Sequence, residues 1–145
     1  MTKGKISDLF LCQGHRQPMV QVKQAVALDD IGLEGDKHAR KGSSRQVLLM
    51  DRETLDQMQL TPGAIRENVT IEGVDLSSIT PGQVFFIGGQ VTLEVTGKCV
   101  PCFRLDEIRP GLRIELDQRR GILTTVLNGG IISVGDSVMV EPSDK

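Results

Sequence analysis

A chain of 145 residues has the length of one ordinary domain and can bury roughly 70% of its unfolded surface, so a single domain over 1–145 is expected. Lys+Arg 17 against Asp+Glu 19 gives a net charge of -2, which argues against a general nucleic-acid or anionic-membrane binder. Trp and Tyr are absent and only four Phe occur, so no aromatic platform for stacking bases is expected.

Residues 6–12 and 20–22 read as two early strands joined across Gln13-Gly14-His15-Arg16-Gln17-Pro18, with the second expected to run on toward Leu28. Residues 30–38 break any period, and Gly32 and Gly35 mark special backbone or a close approach to something bound. The loop Ala39-Arg40-Lys41-Gly42-Ser43-Ser44-Arg45 gathers cations and hydroxyls, which suits an anion, although a solvated surface turn has the same composition. It lacks the glycine and Lys-Ser/Thr spacing of a Walker A loop.

Residues 46–50 form an apolar run of strand length, followed by Asp51 as N-cap of a helix over 52–60 that points Leu55 and Met58 at the core. Residues 65–71 resemble a strand interrupted by Arg66-Glu67-Asn68, where Asn68 is read first as satisfying backbone groups. Residues 84–87 and 91–95 predict a hairpin around Gly88-Gly89, and Asn128-Gly129 predicts another between 122–127 and 131–134. Residues 112–117 fit a short helix or a strand, 137–140 form the last strand, and the polar tail from Glu141 is expected to be loose. Many short strands with Gly-rich turns predict a mostly β fold, a closed or partly open antiparallel β-barrel or sandwich with about two short helices.

The chemistry is expected at Gly97-Lys98-Cys99-Val100-Pro101-Cys102-Phe103, just past the alternating run 90–96. Lys98 and Arg104 set positive charge beside the thiols, which favours thiolate, and Pro101 shapes the loop. Buried packing cysteines are the competing reading. Cys99-x-x-Cys102 also admits a redox pair, disfavoured by β flanks, or a zinc site completed by Cys12 and His15 with His38 spare. A third chemistry is a single thiolate that binds a soft metal or carries sulfur. Asp36 and His38 could form an acid–base pair, though a structural role is commoner. With no signal peptide, no membrane span and an odd set of three cysteines, reduced thiols and a cytoplasmic location are expected.

In order along the chain, Gly32-Leu33-Glu34-Gly35-Asp36-Lys37-His38, Arg45-Gln46-Val47-Leu48-Leu49, Arg66-Glu67-Asn68-Val69-Thr70, Pro101-Cys102, Arg120-Gly121-Ile122 and Gly135-Asp136-Ser137-Val138 resemble the MOSC domain. That family is named for the C-terminal domain of molybdenum cofactor sulfurase, and the resemblance runs from about Ile6 to Val140, nearly the whole chain, which implies a domain core at about 6–140. It is similar to the small stand-alone bacterial members. The resemblance implies a barrel like that of pyruvate kinase, binding of molybdenum cofactor, and a functional cysteine at Cys102 that ligates molybdenum or transfers sulfur.

Some members of the family reduce N-hydroxylated compounds. On that basis Arg45, Asn68, Lys98 and Arg104 are expected to hold cofactor or substrate, Cys99 to tune or back up Cys102, Arg40 and Ser44 to join Arg45 around the pterin phosphate, and His38 to bind the cofactor. Arg66 departs from the family, which often has Gly there. No flavin or nicotinamide fingerprint is evident, so electrons would come from a separate reductase, with no nucleic-acid or membrane partner. The alternative class is a non-redox module carrying sulfur as a persulfide or carrying the cofactor.

Overall fold

Strands with alternating apolar residues dominate the computed structural model, which describes residues 2–102 and 104–142. Phe103, expected in the cysteine loop, and the end of the tail at 143–145 lie outside the described residues, as does Met1. β1 (Thr2–Cys12) and β2 (Met19–Val22) form the early hairpin, with Leu9 opposite Val22 and Cys12 opposite Met19. The second strand stops short of the expected Leu28. It breaks at Lys23, and β3 (Gln24–Leu28) enters a separate small sheet with β4 (Gly32–Leu33).

The main sheet continues through β5 (Val47–Asp51), β6 (Val69–Glu72), β7 (Val84–Ile87), β8 (Val91–Lys98) and β9 (Ile122–Asn128). After β10 (Gly130–Ser133), β11 (Ser137–Val140) pairs with both β7 and β1, which closes a seven-stranded barrel. The expected β-barrel is thus closed, but it is mixed and not wholly antiparallel. β5 and β6 run parallel, since the helical connection between them returns the chain to the end at which β5 began.

That connection contains α1 (Arg52–Gln57), capped as expected by Asp51, whose Oδ2 accepts from Thr54 N at 3.1 Å. The helix ends before the expected Leu60. Gln59 takes φ +58, Gln59 N donates to Asp56 O and Leu60 N donates to Leu55 O, a Schellman closure that brings Leu60 back against Leu55. α2 (Leu105–Ile108) and α3 (Leu112–Glu115) bring the helices to three, against about two expected, and settle the helix-or-strand alternative at 112–117.

The Gly88-Gly89 hairpin forms between β7 and β8, but the Asn-Gly hairpin does not. β10 pairs with β3, so Gly129 and Gly130 carry the chain around a corner from barrel to small sheet. Gly129 N donates to Asp29 Oδ1, and a Cβ on Gly129 would stand 2.3 Å from Ala27 O, so close approach to β3 requires glycine there.

Two cores result. One fills the barrel with residues such as Leu9, Leu49, Ile71, Phe85 and Leu93. The other joins Met50, Leu55, Ile65, Leu105, Leu112 and Leu116, and so fastens the three helices together outside the barrel. Each helix is too short to persist alone, so this packing, at about 1.5–3 kcal/mol per buried side chain, is what orders them. α2 is fixed by Leu105, three residues beyond Cys102.

Candidate functional site

β8 decides which thiol neighbours share a face. Its register with β9 slips by one residue at Thr96, because Val95 lies opposite Thr124 but Gly97 lies opposite Leu123. A one-residue bulge reverses the inside and outside of everything beyond it. Lys98 therefore stands opposite Ile122 and lines a small groove with Asp51, Thr54 and Arg119, whereas Cys99 turns to the opposite side with Leu123. Thr96 holds the bulge through its hydroxyl, whose one hydrogen has Ser44 O and Leu123 O as acceptors within reach.

Cys99 N donates to Gly121 O at 2.9 Å, which pins the cysteine loop to the start of β9. A Cβ on Gly121, whose φ is +115, would meet Leu49 O at 2.6 Å. Cys99 is 7% exposed, while Cys102 is exposed, and both line one pocket of about 540 Å³. Cys102 O accepts from Leu105 N at 3.1 Å, so the thiol emerges directly before α2 and the downstream flank of Cys99-x-x-Cys102 is helical, not β as expected.

The pocket lies against the outer faces of Leu48 and Leu123, under the β1–β2 turn and beside α2. Of the residues expected to form the site, His38, Arg45, Asn68, Cys99, Cys102 and Arg104 line it. Lys98, Arg40 and Ser44 do not. Arg40 and Ser44 are exposed on the loop, where the Arg40 carbonyl accepts from Ser43 N and Gln46 Nε2.

Asn68 lines the pocket as a brace. Its Oδ1 accepts from Leu48 N at 3.0 Å, and its Nδ2 donates to Phe10 O at 3.2 Å and Asp36 Oδ1 at 2.9 Å. Asp36 in turn accepts from Cys12 N at 2.6 Å, from His38 N at 2.9 Å, and meets His38 Nδ1 at 3.3 Å. Burial pushes the Asp36 carboxyl up, but the bonds from the His38 ring and from the Cys12 and His38 amides outweigh it and hold the group below the usual carboxylate range. Asp36 and His38 thus meet as the acid–base reading requires, with Asp36 orienting the ring.

Sequence reasoning did not place Arg16, Glu107 or Arg120 in the site, and read Arg66 as a departure whose long cation would narrow the pocket or add a phosphate contact; all four line the pocket. Arg66, at φ +66, donates from Nη2 to Cys12 Sγ at 3.1 Å and Gly14 O at 3.2 Å. Arg16 reaches Glu107 on α2 at 3.2 and 3.4 Å. Arg120 has buried Nε and Nη1 without partners. Its charge acts on Glu67, 0% exposed, whose Oε2 accepts from Gly63 N and Thr70 Oγ1 while Oε1 has no partner. Burial raises the Glu67 pKa against these bonds and the Arg120 charge.

Among the described residues no three His, Cys, Asp or Glu side chains gather as a metal cluster, so the four-ligand zinc alternative finds no support. Cys12 is buried under Arg66, and His15 contacts Arg104 instead of a cysteine. Among the described residues no helix is long and apolar enough to cross a membrane.

Solved structures share this architecture. The YuaD protein of Bacillus subtilis superposes with a TM-score of 0.80 at 20% identity, covering 98% of this chain and 97% of that one. YiiM of Geobacillus stearothermophilus gives 0.76 at 17% identity, over 96% of this chain and 75% of its own. YiiM of Escherichia coli gives 0.71 at 20% identity, over 96% and 70%. At such identities the likeness speaks for the fold alone. No curated protein sequence matches the chain. The family described as MOSC domain matches residues 36–139, a span that runs from Asp36 through the cysteine loop to β11, and the chain belongs to that family.

Proposed function

We propose that this protein binds a pyranopterin molybdenum cofactor with Cys102 as the thiolate ligand and reduces N-hydroxylated compounds with electrons from a separate reductase in the cytoplasm. The observation that carries this reading is the juxtaposition of an exposed soft donor, Cys102, with Arg45 and Arg120 in one pocket. The donor set fits the group. A thiolate suits molybdenum, and Arg120, with buried nitrogens that lack partners, and Arg45, without a carboxylate partner among the described residues, suit a pterin phosphate.

When bound, the cofactor supplies two-electron chemistry at the metal. The balanced reaction takes R–NHOH with two electrons from the reductase and two protons to R–NH2 and water, breaking the N–O bond. The chain's own residues bind and orient. Cys102 would hold the metal from the end of the cysteine loop, Cys99 lines the same pocket, and Leu48 and Leu123 form an apolar wall. His38, oriented by Asp36 through Nδ1, is the proton carrier of the pocket.

The test is protein isolated from a host that makes the cofactor. Elemental analysis should find about one molybdenum per chain, and a chemical reductant with an N-hydroxylated purine should yield the amine. Cys102→Ser should lose both, and a variant that keeps both ends the assignment. The exposure of Cys102 also suits a persulfide carrier. A sulfur-atom adduct on Cys102 without molybdenum, read by mass spectrometry, would favour that second reading.

A further inference from the structure

The β1–β2 turn beside the pocket gathers a second group of basic side chains, of which Arg16, Arg66 and Arg104 line the pocket and His15 and Lys37 do not. His15 in the β1–β2 turn meets Arg104 Nη2 at 2.8 Å from Nε2 and 3.4 Å from Nδ1. Arg66 reaches the same turn at Gly14 O, and Arg16 belongs to it. The Arg104 charge, then desolvation, then the charges of Lys37, Arg16 and Arg66 hold the His15 imidazole below its ordinary pKa, so all four cations act on one exposed point.

Among the described residues, Glu107 is the one carboxylate that forms an ion pair with any of these cations, through Arg16. A protein of net charge -2 thus keeps three uncompensated cations and an imidazole together. Such crowding opposes folding unless an anion relieves it. The donors exceed what the two oxygens of a carboxylate accept, whereas a phosphate monoester offers three oxygens and nearly two charges. Guanidinium forks match it in geometry.

We infer that His15, Lys37, Arg66 and Arg104 bind a phosphate monoester on the substrate, so that the preferred substrates are phosphorylated N-hydroxylated compounds and not the free bases. This rests on the reductase reading of the same pocket. The cluster lies at the turn, where His15 and Lys37 are exposed, while Arg120, just ahead of β9, has its Nε and Nη1 buried. A substrate entering past the turn would therefore leave its phosphate at the mouth and carry its N–O group toward Cys102.

Two measurements test the inference. The first compares an N-hydroxylated nucleoside with its 5′-monophosphate on the cofactor-loaded protein. The monophosphate should show kcat/KM about ten- to a hundredfold higher, in line with charge-assisted bonds to two or more cations, and Lys37→Ala and Arg104→Gln should each shrink that ratio. Equal values for the two compounds in the wild type overturn the inference while leaving the reductase reading intact.

The second follows the His15 ring by NMR as inorganic phosphate is added at constant ionic strength. With cofactor already bound, phosphate should raise the imidazole pKa. If cofactor alone raises it and phosphate then does nothing, the cluster serves the cofactor's own phosphate and the inference fails. If neither compound is reduced, the reductase reading falls, and the phosphate site then stands or falls on the His15 response in the protein without cofactor.

Discussion

Asn68 and Asp36 meet at 2.9 Å behind the pocket, Asn68 Nδ2 donating to Asp36 Oδ1, and through them β6, β5, β1 and the His38 turn are tied together. Removing the amide in Asn68→Ala would leave Leu48 N, half-buried, and Phe10 O, buried, each short of a partner. Unfolding in urea should show a loss of about 2–4 kcal/mol. A loss below about 1 kcal/mol, the ordinary worth of one hydrogen bond, would mean that Asn68 is free to serve a ligand.

Asp36 should dominate one limb of the acid stability. Its folded pKa lies below the unfolded value of about 3.9, so its stabilisation is present above that pH and is lost as pH falls through the folded pKa. Asp36→Asn should lower stability at neutral pH and flatten the acid limb. Unfolding free energies measured from neutral pH down to about pH 2.5 check this, since parallel curves for the two proteins would contradict the assignment.

Glu67 has the opposite sign. Its folded pKa is raised by burial, so the folded state holds a proton that the unfolded state releases, and stability declines as pH rises from about 4.3 through the folded pKa. Glu67→Gln keeps an oxygen for Gly63 N and Thr70 Oγ1 and removes that decline. The variant should gain melting temperature relative to wild type as pH increases, and a gap that is constant with pH would refute the titration.

The three thiols should label in a fixed order. Cys102 is exposed, whereas Cys12 and Cys99 are buried, so a small alkylating reagent should modify Cys102 in the native protein and the other two only on opening. Peptide mass spectrometry at partial labelling reads the order. Early labelling of Cys99 would show that the loop does not hold its thiol inward.

Gly121→Ala tests that hold directly. The added Cβ would stand 2.6 Å from Leu49 O at a φ of +115, so a loss on the order of 1–3 kcal/mol is expected. Because Gly121 O accepts from Cys99 N, the same variant should speed alkylation of Cys99. Unchanged stability with unchanged labelling would remove Gly121 from the architecture of the site.

Local pattern determined most of the barrel. Alternation marked the strands, Asp51 marked the start of α1, and Gly88-Gly89 marked the β7–β8 hairpin, because each depends on residues that are neighbours in the chain. The ordered motifs also singled out Cys102 and contain His38 and Arg45, which line the pocket with it, and the charge beside the thiols pointed to Arg104, which lines it too. Asn128-Gly129 misled, since a turn dipeptide reports a local bend and not which strand the chain pairs with afterward.

Tertiary structure alone decided which side chains share the site. Lys98 and Cys99, as chain neighbours, face opposite ways in any strand, but the bulge at Thr96 decides which of them turns to the pocket, and no periodicity in β8 announces a slip that arises from its pairing with β9. Arg16, Arg66 and Arg120 come from three separate connections and reach the pocket only when the barrel closes and the helices pack. The sequence by itself therefore determined the strands, the family resemblance and the favoured thiol. The surrounding charge was decided by long-range pairing, because register and closure act between residues far apart in the chain and leave no local signature.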